Sequence, residues 1–221
     1  MSLQDKLDAF KADFEGKHAP PAVVATFHKT TADLIASRQA ERALKVGDRA
    51  VPFNLPNSEG AMIDSTQLLA KGPLVVTFYR GVWCPYCNLD LQAIQGVAED
   101  IRSLGASLVA ISQQTPSNSR KAQEQHGLSY PILSDQGGQT AAAFGIRFRL
   151  PDDLIQVYKG FGVDLPGING EPSWTLPMPA RYVIAPNGSI VYAEVSPDYT
   201  RRPDPSELLP ALLRLQRANA A

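Results

Sequence analysis

Cysteine is almost absent from this chain: two residues in 221. So few cannot build a disulfide framework, which excludes the small cross-linked folds of secreted proteins. Histidine occurs three times, and none of His18, His28 or His126 has a cysteine or second histidine at metal-ligand spacing. The first two read as ordinary surface or helix residues, and His126 as a cap or core residue. Neither sign of charge dominates, with 21 basic against 22 acidic residues and a net charge of −1. No basic block favours nucleic acid, and no acidic tail favours a disordered partner arm. No apolar run approaches the roughly 20 residues that span a bilayer. The N-terminus lacks the basic flank and apolar core of a secretory signal. The expectation is a soluble, cytoplasmic protein in a reducing setting, with no membrane or nucleic-acid partner. Its length suits one large domain, or one domain with an appendage.

What is present centres on residues 74–94. Leu74 to Tyr79 is a continuous apolar run, the pattern of a strand buried on both faces. Arg80, Gly81 and Val82 turn the chain, and Trp83-Cys84-Pro85-Tyr86-Cys87 opens a helix continuing through Leu89, Leu91 and Ile94. Both cysteines therefore stand at a strand-to-helix junction. Unpaired N–H groups and the positive dipole end there stabilise an anion, and the thiolate is the reactive form of cysteine. A Cys-x-x-Cys beside a β-α-β pattern, without a second ligand pair, reads as a redox dithiol. Two inert core cysteines, or half of a shared zinc or cluster site, are the alternatives.

The rest of the chain supplies the β-α-β context. Leu3, Leu7, Phe10 and Phe14 form one helical stripe, and Val23, Val24, Phe27, Leu34 and Ile35 a second that starts after Pro20 and Pro21. Residues 1–43 are thus expected to be a helical extension that packs on the main domain or serves as a dimer arm. The main domain is placed at 44–221. Leu108 to Ser112 is a second buried strand, expected to lie parallel to the first. Thr115 caps a helix that ends at His126 and Gly127. Residues 147–177 carry four prolines and four glycines and read as an irregular insertion over one end of the sheet. Tyr182 to Ala185, Pro186-Asn187-Gly188 and Ser189 to Val195 form a hairpin, and a leucine-rich helix closes the chain.

The order β-α-β-α then β-β-α, with the Cys-x-x-Cys after the first buried strand, resembles a thioredoxin fold. Val46 to Phe53, Val109 to Ser112, Lys121 to Asp135, Phe78 to Cys87 and Pro177 to Ile184 together resemble the AhpC/TSA peroxiredoxin-like family, in its branch with a thioredoxin-style Cys-x-x-Cys. The resemblance covers about residues 44–217. It implies an α/β thioredoxin-like fold, a central mixed sheet flanked by helices, with the N-terminal helical extension outside it. It also implies a thiol-dependent oxidoreductase with no cofactor and no metal. Such an enzyme would cycle Cys84 and Cys87 between dithiol and disulfide, reduce a hydroperoxide or a disulfide, and draw electrons from thioredoxin or a glutathione-type reductant. A homodimer, or a non-catalytic interaction module on the same fold, also fits.

By position in that family, Cys87 falls where peroxiredoxins hold the peroxide-attacking cysteine, and Cys84 where they hold a hydroxyl residue. Pro179 falls where they hold an arginine and thioredoxins a cis-proline facing the dithiol. The thioredoxin pattern makes Cys84 the attacker and Cys87 the resolver; the peroxiredoxin pattern reverses them. Pro85 fixes φ at the helix start, and Tyr86 sits between the cysteines. Trp83 is expected to shield the attacking sulfur. Arg80 would lower a thiolate pKa, hold an anionic thiol substrate, or stand solvated in the turn. Arg181 lies two positions from the replaced arginine and so on the same strand face. Tyr199, with Arg201 or Arg202, is expected at the rim of the site, or else Asp198 pairs with an arginine to close the loop.

Overall fold

A computed structural model describes residues 1–220. Two helices come first, α1 (Leu3–Asp13) and α2 (Pro21–Ala36), joined by a π-helical turn at Phe14–His18. Ser2 and Asp5 form a reciprocal capping box at α1, and Pro21 occupies the first position of α2, where its missing N–H costs nothing. A small hairpin follows, β1 (Asn54–Pro56) with β2 (Met62–Asp64), and then α3 (Ser65–Leu69). Next are β3 (Leu74–Phe78), α4 (Pro85–Ser103), β4 (Ser107–Ser112), α5 (Pro116–His126), β5 (Ile132–Ser134) and α6 (Gln139–Ala143).

The stretch expected to be irregular is ordered. It runs through β6 (Arg147–Arg149), α7 (Asp152–Gly160), α8 (Leu165–Asn169) and β7 (Thr175–Pro177), with β6 and β7 paired antiparallel at its base. Leu150, Leu154, Ile155, Tyr158, Leu165 and Leu176 give it a small core of its own. The chain ends with β8 (Ala180–Ile184), β9 (Ile190–Val195), a 3-10 turn at Pro205–Leu208 and α9 (Leu209–Ala220).

The main sheet has the order β5-β4-β3-β8-β9, with β3, β4 and β5 parallel and β8 and β9 antiparallel to their neighbours. This mixed sheet between helices is the thioredoxin-like architecture the sequence implies. Alternation along β3 divides the core. Val75 and Tyr79 face the layer that contains α1, α4 and α9, whereas Leu74, Val76 and Phe78 face the layer of α3 and α6. In α4, Cys87, Leu91, Ile94, Ala98 and Ile101 recur at helical spacing and are fully buried on one side.

The apolar stripe of α1 is used within its own chain: Leu3 and Leu7 join the α4 layer. α2 behaves differently. It packs on α7, but only Thr30 is buried along it, and Ile35, read as part of the stripe, is 50% exposed. His18 and His28 make surface contacts to Asp13 and Glu15, and His126 contacts Gln92 through Nδ1 at 3.0 Å. Leu7→Ala is expected to lower stability by about 2–5 kcal/mol, because it leaves a cavity between α1 and α4. Ile35→Ala should stay within about 0.5 kcal/mol. Urea denaturation of the two variants checks both.

Candidate active site

β3 delivers the site to one end of the sheet. Beyond Phe78 the chain turns at Gly81, whose φ of +147° and whose nearness to Trp83 exclude a side chain: a Cβ would stand 2.6 Å from Trp83 Nε1. Gln114, buried at the end of β4, holds the turn. Its Oε1 accepts the Val82 N–H at 3.0 Å while its Nε2 donates to the Tyr79 hydroxyl at 2.8 Å. Asn88 Nδ2 donates to the Val82 carbonyl at 2.9 Å. Cys84 then occupies the N-cap of α4 in extended geometry, and Pro85 the first helical position.

The two thiols are in unequal environments. Cys84 is 2% exposed and lines an aromatic cleft of about 240 Å³, whereas Cys87, one turn along α4, is wholly buried. Burial acts to raise the Cys84 pKa, but the polar groups of Cys87 and the charges of Arg80 and Arg202 outweigh it and bring the thiol down to about 6. Cys87 is pushed well above the ordinary thiol range, first by burial and then by the neighbouring Cys84 sulfur. At neutral pH one thiolate is favoured, and it is Cys84.

Arg80 is 3% exposed. Its guanidinium carbon lies 4.3 Å from the Tyr199 ring centroid, 5.0 Å from Trp83 and 5.6 Å from Tyr158. These cation–π contacts offset part of its desolvation. Trp83 and Tyr158 meet edge to face at 5.2 Å, and Tyr86 meets Tyr199 at 5.3 Å and Phe10 at 5.1 Å. Trp83, Tyr86, Tyr199 and Arg80 thus gather around Cys84.

Behind Cys87 stands a buried charge cluster. Asp90, one turn further along α4, pairs with Arg181 of β8, and its other oxygen lies 3.4 Å from Arg202 Nε. Arg181 also donates to the Pro203 carbonyl at 2.8 Å. Arg202 donates to the Arg201 carbonyl at 2.6 Å and reaches Cys87 Sγ at 3.9 Å. Glu194, the β9 neighbour of Arg181, is raised to about 7 by burial, against the pull of both arginines. Among the described residues no group of three or more His, Cys, Asp or Glu stands close enough to hold a metal.

Three expectations change. Among the described residues there is no cis peptide, so Pro179 is trans. Its neighbours explain this: the Met178 N–H donates to Ile146 at 2.8 Å and the Pro179 carbonyl accepts from Ser196 at 2.9 Å. Both sides are thereby committed to an extended path from β7 into β8. Pro179 lines an adjoining cleft, reached past Arg80 and Tyr199. Arg201 is exposed and takes no part; of the two adjacent arginines, Arg202 is the buried one. Asp198 closes the loop through Thr200, whose N–H and hydroxyl it accepts at 3.0 and 2.7 Å, and pairs with neither arginine. Arg181 is buried and its charge is taken up by Asp90. Asp90 had no place in the sequence reading, although an acid on the apolar stripe of α4, three residues after Cys87, is a detectable signal. Tyr158, Phe27 and Gln114 carried no comparable mark.

Fold and site together define a thioredoxin-fold oxidoreductase built on a cysteine pair. Residues 46–193 match the model of the AhpC/TSA family, and the chain belongs to that family. A protein of Mycobacterium tuberculosis named as a peroxiredoxin is 32% identical over 114 residues, which is 52% of this chain and 74% of that one. The thiol-disulfide oxidoreductase ResA of Halalkalibacterium halodurans is 30% identical over 118 residues, 52% of this chain and 65% of its own. The crystal structure of peroxidoxin BcpB from Mycobacterium tuberculosis shares the fold, with a TM-score of 0.61 at 24% identity, covering 79% of this chain and 97% of that one. The protein is thus a thiol-dependent oxidoreductase of the peroxiredoxin-like kind.

The thiolate absorbance of the reduced protein should rise with pH through a midpoint near 6, well below the ordinary thiol value of about 8.5. Arg80→Gln, which removes a charge favouring the anion, should move that midpoint upward. Asp90→Ala leaves two buried guanidinium groups without their carboxylate and should cost about 3–5 kcal/mol in a denaturant titration.

Proposed function

We propose that Cys84 is the attacking thiolate and Cys87 the resolving thiol of a dithiol–disulfide cycle. The cycle takes electrons from a thioredoxin- or glutathione-type reductant and passes them to a disulfide or a hydroperoxide. One observation carries this reading: Cys84 opens on a cleft and is acidified, while Cys87 is sealed and is not. Against a disulfide, the Cys84 thiolate attacks one sulfur, forms a mixed disulfide and expels the other half as a thiolate. Cys87 then loses its proton and attacks Cys84 Sγ, which expels the second half and leaves the Cys84–Cys87 disulfide. Against a hydroperoxide, Cys84 attacks the terminal oxygen, becomes a sulfenic acid and releases the alcohol. Cys87 condenses with the sulfenic acid and releases water.

The charge cluster suits the second half of either cycle. Once Cys84 is bonded to substrate it carries no charge, so its influence raising Cys87 is gone. Burial is then opposed by Arg202, beside Cys87 Sγ, and by Arg80. The cationic contact that activates the resolver comes from Arg202, since position 179 holds proline. A reducing, cytoplasmic setting would keep the pair in its dithiol form between turnovers.

Peroxide reduction initiated at Cys87 is the second reading, favoured by the peroxiredoxin relatives and by the same Arg202 contact. Single substitutions separate the two. Cys87→Ser is expected to trap a mixed disulfide on Cys84, and Cys84→Ser to trap none; a trapped adduct on Cys87 in Cys84→Ser would reverse the roles. Intact-mass measurement after exposure to a disulfide substrate reads the outcome.

A further inference from the structure

The cleft over Cys84 draws part of its lining from outside residues 46–193, the stretch that matches the family, and part from the α7 region. Phe14 comes from the π-helical turn, Phe27 from α2, Tyr158 and Phe161 from α7 and its C-terminal end, and Tyr199 from the loop after β9; Trp83 stands beside the cysteine. The rings form one connected set: Phe14 and Phe161 centroids are 6.0 Å apart, Phe27 and Phe161 6.5 Å, and Phe27 and Tyr199 6.3 Å. Phe161 is 46% exposed although it lies in this set, so the cleft keeps an apolar mouth to solvent.

One permanent charge lines this cleft, Arg80. Its side chain is 97% buried, its Nε has no hydrogen-bond partner, and the buried carboxylate of Asp90 pairs with Arg181 and Arg202 instead. Aromatic faces attract the cation but accept no strong hydrogen bond from it. Arg80 also lines a second cleft of about 260 Å³, together with Thr30, Asp33, Gln39, Arg149 and Pro179. A buried guanidinium with donor capacity left over, set in an aromatic wall, is complementary to an anion carried on an apolar body.

We infer that the cleft over Cys84 is a binding site for a small aromatic carboxylate, whose ring lies among the phenylalanines and whose carboxylate meets Arg80. The inference rests on the reading of Cys84 as the attacking thiolate, and it names the class of disulfide or hydroperoxide that reaches it. Cys84 is recessed behind α1, α2 and α7. A folded protein, whether a disulfide substrate or a thioredoxin-type reductant, therefore meets the rim of the cleft before it meets the sulfur, and of the two reductants the glutathione type fits this site. A small molecule enters. In the first step the Cys84 thiolate becomes part of a neutral mixed disulfide or sulfenic acid. Arg80, no longer facing a Cys84 thiolate, then meets the substrate's carboxylate, which holds the adduct in place while Cys87 attacks.

The test uses the reduced full-length protein and two unreactive probes of equal shape, 2-naphthoate and its neutral amide. Binding is followed by calorimetry and by protection of Cys84 from iodoacetamide. The expected result is that naphthoate binds at least about tenfold more tightly than the amide and protects Cys84, as a charge-assisted hydrogen bond to a buried guanidinium requires. Arg80→Gln should abolish the preference for the carboxylate, and Phe161→Ala should weaken both probes alike. Equal affinity for the two probes, a preference that survives Arg80→Gln, or binding without protection of Cys84 would overturn the inference. Turnover is read separately. Turnover of insulin disulfides as fast as that of an aromatic carboxylate disulfide would overturn the site while leaving the redox cycle intact. Tight naphthoate binding in a protein that turns over neither would overturn the cycle and leave the site standing.

Discussion

An anion at the N-terminus of α4 is the constraint that the surrounding structure answers. A thiolate that is only 2% exposed has lost most of its hydration, and burial alone would keep it protonated. What reverses this is local and specific. Cys84 is placed at the helix cap, Cys87 offers its polar groups from one turn along, and Arg80 and Arg202 approach from opposite parts of the chain. Each of these groups is itself positioned by something further out. The aromatic rings hold Arg80, Asp90 and the Arg201 carbonyl hold Arg202, and Gln114 holds the turn between β3 and α4. The buried charges therefore form two groups with different duties. Arg80 faces the cleft and Cys84, while the Asp90–Arg181–Arg202 cluster faces Cys87.

The same arrangement shows how a family scaffold and an altered residue set coexist. Position 179 holds a trans-proline whose backbone is fixed between neighbouring strands. Arg181, two residues on, points to the correct side of the sheet but spends its charge on Asp90. The cation that touches cysteine arrives instead from the loop after β9. The N-terminal helices and the α7–α8 excursion, which lie outside the sheet, have a comparable role. They wall in the sulfur and turn an exposed helix cap into a recessed site.

Much of this could be read in the residues before any coordinates. Leu74 to Tyr79 and Leu108 to Ser112 are continuous apolar runs, and the strand-helix-strand unit they frame needs no long-range information. β6 and β7 are different. Arg147-Phe148-Arg149 and Thr175-Leu176-Pro177 are three residues each, and only their pairing across the intervening helices makes them strands. The prolines and glycines between them suggested irregularity, whereas they serve as helix starts and caps: Pro166 opens α8 and Gly170 closes it in the left-handed conformation. Of Arg201 and Arg202, sequence offers no reason to choose; burial is decided by which one faces Asp90. The cysteines were legible as a redox pair because their chemistry is local to one helix start. The more acidic of the two was not, because the charges that act on Cys84 include that of a residue as distant as Arg202.

The central claim is that these charges make Cys84, and not Cys87, the thiolate at neutral pH. Limiting alkylation tests it most directly. Reduced wild-type protein is treated with less than one equivalent of iodoacetamide, and the modified peptide is mapped by mass spectrometry. Label confined to Cys84 is the expected result; label appearing first on Cys87 would contradict the assignment of roles.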